Sequence, residues 1–128
     1  MLTNKLFGGA LATTAKALDL RMERQGLIQS NIANMETPGY KMKDFSFAKV
    51  MESVVSGQEE LTRTNARHIA LDPVQVSKAS AFAQEDRPVD LDEEMGKLSE
   101  NQLMYQVATR IMTKKFEGLQ YAIDEGGK

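Results

Sequence analysis

Five acidic residues near the start of the last third of the chain, Asp86, Asp90, Asp92, Glu93 and Glu94, are of a type that could bind a hard cation such as calcium. A calcium loop of the helix-loop-helix kind needs alternating oxygen ligands, a glycine at its sixth position and a glutamate at its twelfth. The cluster lacks that spacing. Because acidic side chains favour the positive end of a helix dipole, we interpret it as a helix start, with Asp90 or Asp92 as the cap.

Catalytic chemistry has few candidate residues. His68 is the single histidine and there is no cysteine, so zinc sites, disulfides and thiol chemistry lack their usual ligands and nucleophiles. A hydrolase in which His68 activates a neighbouring hydroxyl is one interpretation, but a lone histidine is normally structural. No phosphate-binding glycine loop or catalytic triad is present. The chain is therefore predicted to be a non-enzyme with no catalytic residue, cofactor or metal.

The charge and hydropathy patterns exclude two further classes. The formal net charge is -2, and the basic residues are scattered without interleaved aromatics, which argues against nucleic-acid binding. No apolar run reaches the roughly 18 to 20 residues of a membrane span, so direct membrane insertion is not expected. Leu2–Ala15 faintly resembles a secretory signal, but Gly8, Gly9, Thr13 and Thr14 dilute its apolar region.

The carboxy-terminal third has the strongest periodicity. Ten positions step alternately by four and three, and eight of them are apolar or aromatic, a heptad pattern typical of a helix that packs on other helices: Leu91, Met95, Leu98, Gln102, Tyr105, Thr109, Met112, Phe116, Leu119 and Ile123. This predicts a helix from Asp90 to Asp124, stopped by Gly126-Gly127. A weaker stripe near the amino terminus is its expected partner: Leu18, Met22, Gln25, Ile28 and Ile32.

A demanding turn follows the amino-terminal helix. Pro38 and Gly39 have the preferences of the second and third positions of a type II turn, which requires a positive φ at the third. The helix is expected to end near Met35, with Asn34 suited to left-handed geometry at its end. Tyr40 presents a ring that can dock and a hydroxyl that needs a polar partner.

The middle of the chain is less regular. Asp44 or Ser46 is expected to cap a short helix, ended by Gly57, whose apolar face comprises Phe47, Val50, Met51 and Val54. Residues 58–88 show no lasting period, with short strands considered at His68–Leu71 and Val74–Ser77. The predicted fold is mainly α: residues 1–35 and 89–128 form long helices that pack as a coiled coil, and residues 36–88 form the turn and an irregular outer segment of one overall domain.

Two separated blocks resemble a known family. Asn31-Ile32-Ala33-Asn34 followed by Thr37-Pro38-Gly39-Tyr40-Lys41 resembles the amino-terminal signature of bacterial flagellar rod and hook proteins. A second block is similar to the proximal-rod branch of that family: Val89-Asp90-Leu91-Asp92, Glu94-Met95, Leu98, Asn101, Tyr105, Lys115-Phe116, Leu119, Ala122 and Ile123. The short length agrees, because distal members carry inserted β-domains.

The resemblance implies a structural subunit of the proximal rod that self-assembles through its terminal helices around a central channel, as part of the axial drive shaft. It implies a flagellar basal-body location, in the rod that spans the periplasm, and type III export without a cleaved signal peptide. The implied partners are other copies of the chain, the adaptor FliE, rod proteins such as FlgC and FlgF, the MS-ring and the export gate. The competing hypothesis is a cytoplasmic helical adaptor or export chaperone.

The resemblance also assigns residues. Those of the family turn motif are Asn31, Ile32, Ala33, Asn34, Thr37, Pro38, Gly39 and Tyr40. Those of the assembly seam are Leu91, Met95, Leu98, Tyr105, Phe116, Leu119 and Ile123. The helical periodicity adds Leu18, Met22, Ile28, Ile32 and Met112 to the predicted seam.

Overall fold

Two long helices make up most of the computed structural model, which describes residues 2–56 and 82–126. Helix α1 spans Leu2–Ala33 and helix α3 spans Leu91–Gly126. Between them lie strand β1 (Met42–Phe45), helix α2 (Phe47–Ser56) and strand β2 (Phe82–Glu85). The predicted mainly α fold with long terminal helices and a short middle helix is confirmed. The strands considered at 68–71 and 74–77 lie outside the described residues.

The two long helices run antiparallel. Asn31, near the end of α1, bonds Glu94 near the start of α3, whereas Arg21, earlier in α1, bonds Asn101, later in α3. At about 1.5 Å per residue, the 32 residues of α1 and the 36 of α3 extend over about 48 and 54 Å. Their packing as a true coiled coil stays a prediction.

Helix α3 begins and ends close to the predicted residues. The Asp90 carboxylate accepts hydrogen bonds from the backbone amides of Asp92 at 2.9 Å and Glu93 at 3.2 Å. These amides have no partner within the helix, so the carboxylate satisfies donors that a helix start leaves open. Asp90 is therefore the cap, and the interpretation of the acidic cluster as a helix start is confirmed for it.

The apolar core lies between α1 and the short elements. Leu20 of α1, Phe45 of β1 and Val50 of α2 are buried together. Partly buried side chains surround them: Leu27, Phe47, Met51 and Val54. The predicted apolar face of α2 thus packs against α1. Ser46 caps α2, with its hydroxyl 3.5 Å from the Lys49 amide.

Strands β1 and β2 form a two-stranded antiparallel ribbon that the sequence pattern does not predict. Met42 pairs with Glu85 and Phe45 pairs with Phe82. Both strands are four residues long, too short for a period-2 pattern to stand out. The ribbon brings the chain from the middle segment back to the start of α3.

Candidate functional site

The turn after α1 has the predicted geometry. The Tyr40 amide donates to the Thr37 carbonyl at 3.1 Å, which closes a four-residue turn with Pro38 in its second position. Gly39 has a φ of 74°, in the region that favours glycine. The residue types at positions 38 and 39 therefore follow from the backbone conformation that the turn requires.

The end of α1 differs from the prediction. The helix ends at Ala33, and no non-glycine residue in the described chain has a positive φ, so the left-handed conformation considered for Asn34 is wrong. Instead, the Asn34 side-chain amide donates to the Ser30 carbonyl at 2.8 Å. The same carbonyl also accepts the Asn34 backbone amide at 3.1 Å, and the Asn34 carbonyl accepts the Thr37 amide at 2.9 Å. The chain therefore passes from the helix into the turn through backbone bonds without a left-handed residue at Asn34.

Asn31 is the most heavily bonded side chain at the end of α1, and it is fully buried. Its Nδ2 donates to the Lys43 carbonyl at 2.8 Å and to Glu94 Oε2 at 2.9 Å. Its Oδ1 accepts from the Tyr40 hydroxyl at 2.9 Å and from the Lys43 amide at 3.0 Å. Asn31 thus uses both donor hydrogens and both acceptor positions of its amide. We call Asn31, Tyr40, Lys43, Glu94 and Lys97 the helix junction.

The pair of bonds between Asn31 and Lys43 covers one edge of the ribbon. The side-chain amide meets both the N–H and the C=O of Lys43, as a neighbouring strand would. An uncovered strand edge is a template for unwanted pairing. Asn31 therefore occupies the position of a third strand at this residue.

Glu94 brings a negative charge into the helix junction with no solvent exposure. Its Oε1 accepts from Lys97 Nζ at 2.8 Å, and its Oε2 accepts from Asn31. Burial lowers the pKa of Lys97, but the hydrogen bonds and the charge interactions with Glu93 and Glu94 together outweigh it, so the pKa is raised above its usual value. The buried carboxylate is thus both hydrogen-bonded and charge-compensated, as a buried charge requires.

A second set of polar contacts joins the helices two turns farther along α3. Asn101, also fully buried, donates from Nδ2 to the Arg21 carbonyl at 2.8 Å and accepts from Arg21 Nη1 at 3.3 Å. The Arg21 guanidinium carbon lies 3.8 Å from the centre of the Phe47 ring. Burial, followed by the nearby Arg24 charge, lowers the pKa of Arg21. Arg21 therefore links α1 to α2 and α3 together.

Ion pairs hold the short elements around the helix junction. Arg24 binds Asp44 of β1 through two nitrogens, each 3.0 Å from a carboxylate oxygen. The hydrogen bond to Asp44 raises the pKa of Arg24. Arg87 pairs with Glu85 and makes two 2.8 Å bonds to Glu93. Hydrogen bonds, first from Arg87 and then from Lys97, lower the pKa of Glu93 to about 2.

The predicted seam residues of α3 fall into two sets. Leu98, Tyr105, Met112 and Leu119 are half-buried, whereas Leu91, Met95, Phe116 and Ile123 are exposed. On α1, Ile28 is buried, Leu18 and Ile32 are half-buried and Met22 is exposed. The residues of α3 that lose most exposure alternate by four and three in a shifted pattern: Glu94, Leu98, Asn101, Tyr105, Ala108 and Met112. A role of the predicted seam in assembly stays a prediction.

Other candidate chemistry has no counterpart in the described part of the chain. His68 lies outside it. Within residues 2–56 and 82–126, histidine, aspartate and glutamate side chains form no group of three placed to hold a metal ion. No described helix combines the length and apolar character needed to cross a membrane.

Comparison with known proteins gives a consistent result. The chain is 33% identical over 133 residues to the flagellar basal body rod protein FlgB of Salmonella typhimurium, covering 91% of this chain and 94% of the relative. It is 33% identical over 129 residues to FlgB of Bacillus subtilis, with 96% and 98% covered, and 34% identical to that of Yersinia ruckeri, with 92% and 96% covered. No protein-family model matches the chain.

The chain belongs to the FlgB family. The resemblance to flagellar rod proteins is therefore confirmed along nearly the whole length. In this FlgB-family chain the first resembling block, 31–41, meets the start of the second, 89–123, at the helix junction, and Asn101 of the second block bonds Arg21 of α1. Residues far apart in sequence thus form one bonded unit.

Sequence reasoning missed the structural roles of Glu94 and Asn101. The acidic pattern indicates Glu94 as a partner of the helix dipole, and it is instead the buried acceptor for Asn31. The available signal was spacing: Glu94 and Asn101 lie seven residues apart and follow the heptad of the half-buried Leu98, Tyr105 and Met112. Polar residues that repeat with an apolar heptad indicate a polar layer within a helix contact.

Proposed function

We propose that this chain is a structural, non-catalytic subunit of the proximal flagellar basal-body rod that self-assembles through its terminal helices. In this proposal, residues 1–35 and 89–128 form the inner helical layer around an export channel, and residues 36–88 form the outer segment. The assembled layer acts as part of the axial drive shaft. Membership of the FlgB family supports the rod assignment.

The observation that carries the proposal is the exposed apolar surface of α3 beyond Asn101. From residue 102 to residue 126 no side chain is fully buried. Seven large apolar side chains in this part of α3 are 41 to 73% exposed: Leu103, Met104, Val107, Ile111, Phe116, Tyr121 and Ile123. Monomeric proteins seldom leave extended apolar patches in water. A helix that presents them over about 35 Å is suited to packing against helices of neighbouring subunits.

The proposed partners are those that the resemblance to rod proteins implies. We propose that other copies of the chain, FliE, and rod proteins such as FlgC and FlgF contact the exposed helical surface. The MS-ring and the type III export gate are proposed neighbours at the base of the rod. Export by the flagellar type III apparatus, without a cleaved signal peptide, would deliver the subunit to the periplasm-spanning rod.

The proposal is tested by placing charge on the exposed apolar surface. The double variant Val107→Asp/Ile111→Asp changes two exposed residues four positions apart. The control, Gln102→Asp/Gln106→Asp, has the same spacing on exposed polar positions of the same helix. Each variant replaces the chromosomal copy, and swimming and the amount of subunit in purified basal bodies are measured.

We expect both variants to retain the helical circular-dichroism signal, because neither changes a buried residue. The apolar-surface variant should be lost from basal bodies and abolish swimming, while the control behaves as the parent. Equal incorporation of the two variants would contradict assembly through this surface. A parent chain found only in the cytoplasm would favour the adaptor or chaperone hypothesis.

A further inference from the structure

The contact between α1 and α3 contains three fully buried polar side chains, Asn31, Glu94 and Asn101. Each makes a hydrogen bond to the partner helix. No buried side-chain nitrogen or oxygen in the described residues lacks a partner. The long-helix contact therefore has two polar layers, at Glu94 and at Asn101, both fully satisfied.

The apolar residues between and beyond these layers place weaker constraints on alignment. On α3 these residues are Leu98, Tyr105, Ala108 and Met112, all only half-buried. On α1, Leu18 and Ile32 are half-buried and Ile28 alone of the predicted stripe is buried. Hydrophobic burial is non-directional and depends on area, so sliding one helix along the other by a turn would exchange one half-buried apolar contact for another.

The polar layers respond differently to such a slip. Moving α3 by one turn would separate Glu94 Oε2 from Asn31 Nδ2, now 2.9 Å apart, and Asn101 Nδ2 from the Arg21 carbonyl, now 2.8 Å apart. The buried Glu94 carboxylate would keep Lys97 but lose its partner at Oε2, and the buried Asn101 amide would lose the Arg21 carbonyl, which is unfavourable for buried polar groups. Both layers are satisfied together in one alignment.

We propose that Glu94 and Asn101 are register-determining residues: they fix the antiparallel alignment of α3 on α1 through Asn31 and the Arg21 carbonyl, and the apolar residues do not. A single buried asparagine can set register in other helix pairs. The proposal concerns contacts within one chain and does not depend on the proposed rod function. It can hold or fail in the isolated protein.

The test measures the alignment directly. The natural chain has no cysteine, so cysteines at the exposed positions Gln29 and Gln106 can carry two spin labels without a competing site. The distance distribution between them is measured by pulsed electron resonance in the parent, in Glu94→Met/Asn101→Leu and in Glu100→Met/Gln102→Leu. The last is a matched control, because it makes the same kinds of replacement at exposed positions of α3.

The parent and the control should each give one narrow distance. The Glu94→Met/Asn101→Leu variant should keep its helical signal but show additional distances displaced by about 5 or 10 Å, one or two helical turns. One narrow, parent-like distance in that variant would overturn the proposal.

The variant Asn31→Leu/Asn101→Leu covers the case in which the Glu94→Met/Asn101→Leu variant loses its helical signal, because it removes both interhelical bonds while Glu94 keeps Lys97. Additional distances in it would support register determination. A parent-like distance would overturn the proposal, because the polar layers would then serve stability without selecting the alignment.

Discussion

Asn31 Nδ2 lies 2.9 Å from Glu94 Oε2, and neither side chain is exposed to solvent. The two residues are 63 positions apart, so this bond joins the end of α1 to the start of α3. Because Asn31 also bonds Tyr40 and both backbone groups of Lys43, the bond aligns the turn, the ribbon and the long helices with one another.

Removal of the Asn31 side chain should therefore be costly. Asn31→Ala leaves the Lys43 amide and carbonyl, the Tyr40 hydroxyl and the Glu94 carboxylate each short of one partner. Since an unsatisfied buried group costs about 1 to 3 kcal/mol and water can reach part of the new space, we expect the free energy of unfolding to fall by about 3 kcal/mol. Urea denaturation followed by circular dichroism measures this change.

The control for this variant is Gln29→Ala, two residues earlier on an exposed face of α1, which should change stability by less than about 0.5 kcal/mol. Asn31→Asp is a sharper comparison. It keeps the acceptor for Tyr40 but replaces the donor to Glu94 with a second carboxylate. It should be at least as unstable as Asn31→Ala, and parent-like stability of Asn31→Asp would refute the assigned bonds.

Local features of the fold are the ones best predicted from the sequence. The turn at Pro38-Gly39, the cap at Asp90 and the apolar face of α2 each depend on residues close in sequence, and all three are present. The long helices were predicted because their patterns extend over many turns. The residues through which the long helices face each other are harder to assign. Leu98, Tyr105 and Met112 belong to the predicted heptad, but they also fit the shifted heptad that the structure buries.

Long-range polar contacts could not be predicted from residue types alone. Glu94 and Asn101 are residues normally found on the surface, and their burial depends on Asn31 and the Arg21 carbonyl, more than 60 positions away. The short ribbon was missed for a related reason, since β1 is held by Asn31 and by pairing with residues 82–85. These partners are distant in sequence, so the residues next to each of these positions do not identify them.

Gly39 and Gly96 should respond in opposite ways to a larger side chain. A β-carbon added at either position would have no neighbouring atom within 4 Å, so steric clashes do not decide the outcome. Gly39→Val should lower stability by at least about 1 kcal/mol, because the φ of 74° is unfavourable for a β-branched residue. Gly96→Ala, inside α3, should raise stability by about 1 kcal/mol. Thermal unfolding of both variants checks the signs.

Gly39→Asn is the matched control at the turn, because asparagine tolerates positive φ better than valine. It should retain most of the parent stability and support swimming. The Gly39→Val variant should lose assembly before it loses helix content, since the strain is confined to the turn. Equal swimming of Gly39→Val and the parent would count against this account of the turn.

Arg24–Asp44 and Lys41–Asp86 both have 3.0 Å contacts but differ in burial. The first pair is 17 and 18% exposed and the second is 49 and 78% exposed. Arg24→Met should lower the free energy of unfolding by about 1.5 to 3 kcal/mol, because it removes two charge-assisted hydrogen bonds from a mostly buried carboxylate. Lys41→Met should cost no more than about 1 kcal/mol. If urea unfolding showed the same loss of stability for both variants, burial would not explain the difference between the two ion pairs.

Glu93 provides a prediction about pH. Its pKa falls from the usual 4.5 to about 2, through hydrogen bonds first from Arg87 and then from Lys97. A carboxyl group whose pKa is lower in the folded state than in the unfolded state stabilises the fold above the unfolded pKa. That stabilisation should be complete above about pH 5 and be lost as the pH falls from 4.5 towards 2.

Replacement of Arg87 should narrow the pH range over which the Glu93 carboxylate stabilises the fold. In Arg87→Ala the Glu93 carboxylate keeps Lys97, 2.7 Å away, so its pKa should rise towards the usual value without reaching it. Nuclear magnetic resonance titration of the Glu93 side-chain carboxyl carbon measures this directly. Arg110→Ala, on an exposed part of α3, is the control and should leave the titration unchanged.

Because the Arg87 pair joins the segment before α3 to its first turn, the loss of acid stability should be accompanied by faster amide exchange in residues 91–94. A Glu93 midpoint near 4.5 in the parent protein would show that the pair does not persist in solution.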